Sequence, residues 1–269
     1  MDLISSKPWV LFWAFVMCCH LYLDISLYRR WKGWKRGLDA AFSLRELNGP
    51  AVKIWLGEVF LQRQLLSLSV ARWIIHQCLF WGFISLTFLS VSKFILLLLS
   101  LISLDAGLHA FFSKGAGYPY VKLWGDFFGL ILFAGCAGVL ARRFIARPLQ
   151  IVHDQTDTFL SVYLLFMTVS GFMLEGLRMS AFPAAHDSYA FIGGLFMPSS
   201  GGIVSAPGTW YLWTWIVHAF SGAAILIYLP QSKLMHSLLA PIIIALNAAE
   251  EHGRKDLYWP KTKQYRPTK

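Results

Sequence analysis

Little of this 269-residue chain is charged, and none of the common soluble-enzyme signatures is in it. Charged side chains make up 14% of the residues, apolar ones 57%, and mean hydropathy is +0.54. A soluble domain of this size does not carry so much apolar surface, so the composition is that of an integral membrane protein. There is no GxGxxG, no Walker A sequence, no HExxH and no nucleophile elbow, so no motif argues for nucleotide binding, zinc proteolysis or serine hydrolysis. The four cysteines (Cys18, Cys19, Cys78, Cys136) sit inside apolar runs without CxxC spacing. That argues against an iron–sulfur cluster or zinc site held by this chain, and with no CxxCH present any haem is expected to be b-type. No internal repeat is detectable, which weakens a transporter built on inverted halves. Only Lys7 precedes the first apolar run and no small-residue cleavage site follows it, so that run is expected to be a retained span and not a removable signal.

What is present is five apolar runs long enough to cross a bilayer. They fall at about Trp9–Leu27, Trp73–Leu101, Leu123–Leu140, Phe159–Leu177 and Trp210–Leu229. The expected fold is therefore an all-α bundle of five transmembrane helices. Residues 1–250 would form the five-span domain and 251–269 a basic tail, with loops over 102–122 and 178–209, where Gly and Pro are frequent. Of the 24 Lys and Arg residues, nine fall in 28–72, three in 142–157 and seven after 230. Alternate loops are thus basic, which by the positive-inside rule puts the N-terminus outside and the C-terminus in the cytoplasm. The same distribution accounts for the net charge of +10 by topology and acidic-lipid contact, and nucleic acid is not expected as a partner.

His218 and His236 are the most informative pair. Eighteen residues of uninterrupted α-helix make five turns, so both rings would share a face about 27 Å apart, close to the hydrocarbon thickness of a bilayer. Two stacked b-type haems, held by ligation and packing alone, need that arrangement; two unrelated histidines would be the plain alternative. Pro230 lies between them, and the shared face survives a bend but not a full break. His76 lies just inside the second span at a depth matching His236, so the two imidazoles suit the axial positions of an inner haem. His218 sits deep in the last span, where an ionisable side chain marks a functional site. Its partner at the outer level is His20 on depth, or His109 if the 102–112 segment folds back, or none, leaving a five-coordinate haem. His153, His186 and His252 read as solvated or capping residues.

These residues carry a family resemblance. The stretch from Trp213 through His218, Pro230 and His236 resembles the last helix of the gamma subunit of respiratory nitrate reductase, in which two such histidines each serve one of two b haems. Arg72-Trp-Ile-Ile-His76 with Phe80-Trp-Gly-Phe83 resembles that family's second helix, and the run from Arg142-Arg143 to Gly171 its preceding helix pair. The phrase Ser170-Gly-Phe-Met-Leu-Glu175-Gly-Leu-Arg178 is similar to the membrane cytochromes of heterodisulfide-reductase-like complexes and of sulfate-reducer menaquinol complexes. One departure stands out: the family carries a second histidine ten residues after the first on its second helix, and here that position is Leu86.

The resemblance implies a membrane cytochrome b subunit of a respiratory complex, exchanging electrons between menaquinone or menaquinol and a cytoplasmic iron–sulfur partner like the catalytic subunit of heterodisulfide reductase. Cytochrome or iron–sulfur subunits on the periplasmic side are further implied partners. For the quinone headgroup the candidates are Lys122, Asp126, Glu175 and Arg178, at the outer ends of spans two to five. Lys122 comes first by resemblance; its bland alternative is an interfacial lysine snorkelling to the surface. Asp126 is a proton acceptor or a first-turn helix acid. The basic segment 28–72, with apolar and polar residues alternating at helical spacing from Ile54 to Arg63, suggests an interfacial docking helix. The competing class is a non-redox transporter or a haem-free membrane anchor.

Overall fold

The computed structural model describes residues 7–38, 49–102, 106–146, 155–184, 187–197 and 207–253. His153, His186 and the tail beyond residue 253 lie outside the described residues. Among the described residues there is helix and no strand. Five helical segments have the length and apolar composition to span a membrane: Leu11–Gly33, Val70–Ser100, Tyr118–Ala146, Gln155–Ala181 and Gly208–Gln231. Each is predominantly apolar, because in lipid a chain must satisfy its backbone groups internally and present mostly apolar side chains. The chain is a multi-pass protein of the cytoplasmic membrane.

The chain divides into two compact units, residues 71–222 and residues 1–70 with 223–269. The central unit contains almost all of α4 (Val70–Leu101), α5 (Ala106–Ser113), α6 (Tyr118–Ala141), α7 (Gln155–Ala181) and most of α8 (Pro207–Tyr228). A turn of π-helix, Arg142–Ala146, extends α6, and 3-10 turns at Asp187–Tyr189 and Gly193–Phe196 lie between α7 and α8. Helices α4 and α6 cross at backbone contact. A β-carbon at Gly82 would lie 2.7 Å from the backbone of Leu132, and one at Gly135 would lie 2.8 Å from the amide nitrogen of Leu79. Small residues at such a seam let two helices approach where lipid offers no hydrophobic drive for them to associate.

The other unit holds α1 (Lys7–Leu38), α2 (Gly49–Val59), α3 (Arg63–Leu68), the end of α8 and α9 (Met235–Gly253). Arg30 donates to the carbonyl of Pro230 (2.6 Å) and Gln231 to the hydroxyl of Tyr22 (2.6 Å), fastening α1 to the turn after α8. Trp55 of α2 donates to the carbonyl of Pro241 in α9 at 2.7 Å.

Two expectations need correction. The segment 102–122 is not all loop: it contains α5 and the first turn of α6, which starts at Tyr118 with a proline next to it, a residue suited to a helix start. A further helix, α9, which the sequence did not single out, follows the fifth span and reaches Gly253. Above all, His218 and His236 do not share a helix. The α-helix ends at Tyr228, a 3-10 turn covers Leu229–Gln231, and Ser232 is extended at φ −100°, ψ 169° before α9 begins at Met235. Pro230 has no N–H for the carbonyl of Leu226, and the Ser232 hydroxyl completes the break by donating to Leu229 O (3.0 Å) and accepting from the Leu234 amide (3.2 Å). Five-turn arithmetic therefore cannot align the two rings.

Candidate functional site

Two groups of side chains in the central unit carry chemistry. The first surrounds His218. Its Nδ1 lies 2.8 Å from the hydroxyl oxygen of Ser170 on α7, and that hydroxyl donates to the carbonyl of Met167 at 3.2 Å. With the hydroxyl hydrogen assigned to Met167, Ser170 would accept from Nδ1–H and leave Nε2 as a lone pair. This is how a metal-ligating histidine is held: one nitrogen hydrogen-bonded to the protein, the other set for the ligand. Gly171 widens the space beside the ring. A β-carbon there would meet, among the described residues, one atom within 4 Å, the Cε1 of His218 at 3.4 Å. Tyr163 of α7 holds the same stretch of α8 by donating to the carbonyl of Ser221. A neutral imidazole so fixed, next to a residue without a side chain, fits the donor requirement of a b haem.

The other histidines differ in how they are held. His20 turns Nδ1 to the carbonyl of Val16 one turn back in α1, at 2.9 Å. His236 is exposed and turns Nδ1 to the carbonyl of Lys233 in its own turn. His76 in α4 and His109 in α5 are half-buried. Among the described residues no three His, Cys, Asp or Glu side chains converge as a metal site.

The second group lies where α7 leaves the membrane span, and it gathers all four residues singled out for a headgroup. Lys122 of α6, with 2% of its side chain exposed, reaches Asp187 at 2.5 Å and Glu175 at 3.6 Å. Its ammonium also stands 4.8 Å over the ring of Tyr118. Arg178 grips Glu175 with two hydrogen bonds of 3.0 Å, contacts Asp187, and donates to the carbonyl of Phe182 at 3.1 Å. Asp187 accepts a further bond from the amide of Ala184 at 2.7 Å. Burial works against the charge on Asp187, but the bonds from Lys122, Ala184 and Arg178 outweigh it and hold its carboxyl below the usual carboxylate range.

Asp126, 4% exposed, accepts from the backbone amides of Ile192 (2.6 Å) and Gly193 (3.1 Å). Because α6 begins at Tyr118, Asp126 stands two turns inside it and is not a first-turn acid. Nor does Lys122 snorkel: its ammonium is enclosed by carboxylates. The network straps the segment 187–197 to α6 and α7. Asp187 was not among the expected residues. It lies in a turn 65 residues from Lys122, and no spacing rule links such positions.

Comparison with known proteins agrees with this architecture. The family model described as nitrate reductase gamma subunit matches residues 105–248. A curated subunit of the dihydromethanophenazine:CoB–CoM heterodisulfide reductase of Methanosarcina mazei is 25% identical over 202 residues, covering 75% of this chain and 70% of that protein. The corresponding subunits from Methanosarcina acetivorans and Methanosarcina barkeri are 23% and 24% identical, each with 68% of its length covered, over 75% and 74% of this chain. No solved structure matches. The matched span runs from α5 into α9 and takes in both the Ser170–His218 pair and the Lys122–Asp187 network, and the chain belongs to the nitrate reductase gamma subunit family.

Proposed function

We propose that this chain is the membrane cytochrome b subunit of a respiratory complex, exchanging electrons between menaquinone or menaquinol in the bilayer and a cytoplasmic iron–sulfur subunit. The observation behind it is the state of His218: a ring deep in a span, its Nδ1 occupied by Ser170 and its Nε2 open beside Gly171. An ionisable side chain at that depth is costly unless it serves a site. Family membership supports a membrane electron-transfer subunit. So do the names of the Methanosarcina relatives, which couple dihydromethanophenazine to a heterodisulfide reductase.

In this proposal His218, alone or with His20 or His109, would hold one b haem, and His76 with His236 would hold a second. When bound, haem supplies one-electron acceptance and donation within the membrane. Ser170 keeps Nε2 of His218 deprotonated and correctly aimed. Oxidising a quinol releases two protons with its two electrons, so the headgroup must lie near carboxylates with access to water. Glu175 and Asp187, 23% and 20% exposed, meet that need better than the enclosed Asp126. Lys122 and Arg178 hold those two carboxylates in place. The basic segment 28–72 and the C-terminal tail give the acceptor subunit a cationic face, with the N-terminus outside as the charge distribution implies.

The test is a reduced-minus-oxidised optical spectrum with pyridine haemochrome quantitation on the purified protein, beside His218→Ala, His236→Ala and His76→Ala. Two b haems per chain are expected, one lost on replacing His218 and the other on replacing His76 or His236. A single haem insensitive to His218 would remove it as a ligand. No haem in membranes of the native host would make the chain a haem-free anchor.

A further inference from the structure

Within the basic segment 28–72, helix α2 and the turn after it form a groove of their own. It has a volume of about 450 Å³, with Val52, Leu56, Phe60 and Leu61 among its apolar walls and Lys53 and Arg63 as its two cations. The turn that builds it is unusual. Gln62 adopts a left-handed conformation (φ 48°, ψ 52°), rare for a residue with a side chain, and folds Arg63 back over α2. Gly57 makes room for it: a β-carbon there would lie 3.2 Å from the Nε of Arg63. The amide of Gln64 donates to Glu58 at 3.4 Å and closes the turn. Neither Lys53 nor Arg63 makes an ion pair among the described residues.

The face of α2 that adjoins the groove is already committed, since Val59 is buried and Trp55 is bonded to Pro241 of α9. The groove face is left open, with Val52, Leu56 and Leu61 38%, 43% and 51% exposed. Position along the chain says what lies against it. The first span ends at Gly33 and the second begins at Val70, so α2 runs between two membrane crossings and stays at one bilayer surface. An apolar bed with two cations at its edge, neither in an ion pair among the described residues, complements a molecule with an acyl chain and a phosphate. A stable protein contact would need a patch of many hundred Å², much more than this groove offers.

We propose that this groove binds one anionic phospholipid, its acyl chain along Val52 and Leu56 and its phosphate between Lys53 and Arg63. The proposal does not depend on the haem assignments. It is tested by native mass spectrometry of the intact protein released from nanodiscs of phosphatidylglycerol or phosphatidylcholine, with thermal unfolding as a second readout. Expected are one phosphatidylglycerol retained per chain, preferred at least tenfold over phosphatidylcholine, and a lipid-dependent rise in melting temperature. In Lys53→Gln/Arg63→Gln, two exposed positions whose change does not threaten folding, the preference and the rise should both vanish. Equal retention of both lipids, or an unchanged preference in the double variant, overturns it. So does displacement by millimolar inorganic phosphate, which would make the site one for free anions. Shielding of Lys53 from amine labelling by a co-purified subunit, with no lipid retained, would assign the groove to a protein contact instead.

Discussion

His218 and His236 looked equivalent as two rings on one apolar run, but their surroundings are unlike. His218 is bonded to a serine 48 residues away on another helix and stands beside a glycine, so tertiary packing sets its tautomer and direction. His236 is exposed at the first turn of α9, after the helix break at Ser232, and bonds a carbonyl three residues back. One ring is organised before any ligand arrives. The other bonds a carbonyl of its own turn, at an exposed position. Preorganised ligands lose less freedom on binding, so the His218 site is expected to be the tighter and the less sensitive to removal of partner subunits.

Ser170→Ala attacks that difference most directly. It should weaken haem retention at the His218 site by about 10- to 100-fold, the usual cost of losing a hydrogen bond behind a metal ligand, and leave the other site unchanged. Haem titration into the apoprotein reads this, and equal loss at both sites would mean that the serine acts on the fold in general. Lys122→Met is expected to cost about 2 kcal/mol. Breaking a buried ion pair costs roughly 3–5 kcal/mol, here reduced because Glu175 and Asp187 keep partial access to water. Thermal unfolding measures it, and an unchanged midpoint would show that Arg178 alone secures the carboxylates.

On the His236 side, Ser232→Ala removes two hydrogen bonds at the break and should cost about 1 kcal/mol. The loss should appear as faster hydrogen exchange in the first turn of α9 and not in α7. The smallest effect concerns acid. Because the folded-state pKa of Asp187 lies below its unfolded value, the stability it contributes is present above the unfolded value, about 3.9, and is lost as pH falls through the lower folded one. Below about pH 4 the segment 187–197 should become more open to proteolysis, and Asp187→Asn should be open already at neutral pH.

The spans were legible because an apolar run of bilayer length admits few other structures, and so was the family, through the spacing around His218, Pro230 and His236. Lys122, Asp126, Glu175 and Arg178 stood out as charges at the ends of apolar runs, and the structure brings all four to one end of α6 and α7. The break at Ser232 was not legible. Proline alone permits a kink, and only the bonds of the serine hydroxyl to Leu229 and Leu234 turn it into a full stop. Helix α9 was hidden for a related reason: its apolar stretch, Met235–Ala245, is too short to read as a span, and proline at 241 argues against helix on local grounds. Asp187 and Ser170 owe their places to contacts across the fold, on which sequence spacing is silent.

The seam at Gly82 and Gly135 has a consequence for synthesis. Helix α4 leaves the ribosome and enters the bilayer well before α6 exists, so its glycine face must wait exposed to lipid or to an insertion chaperone. Closure at backbone distance leaves no room for an acyl chain, so lipid that wets this face during the delay must be squeezed out when α6 arrives. Cells slow in membrane insertion should therefore accumulate a protease-sensitive form halted between the second and third crossings, and alanine at either glycine should lengthen its lifetime.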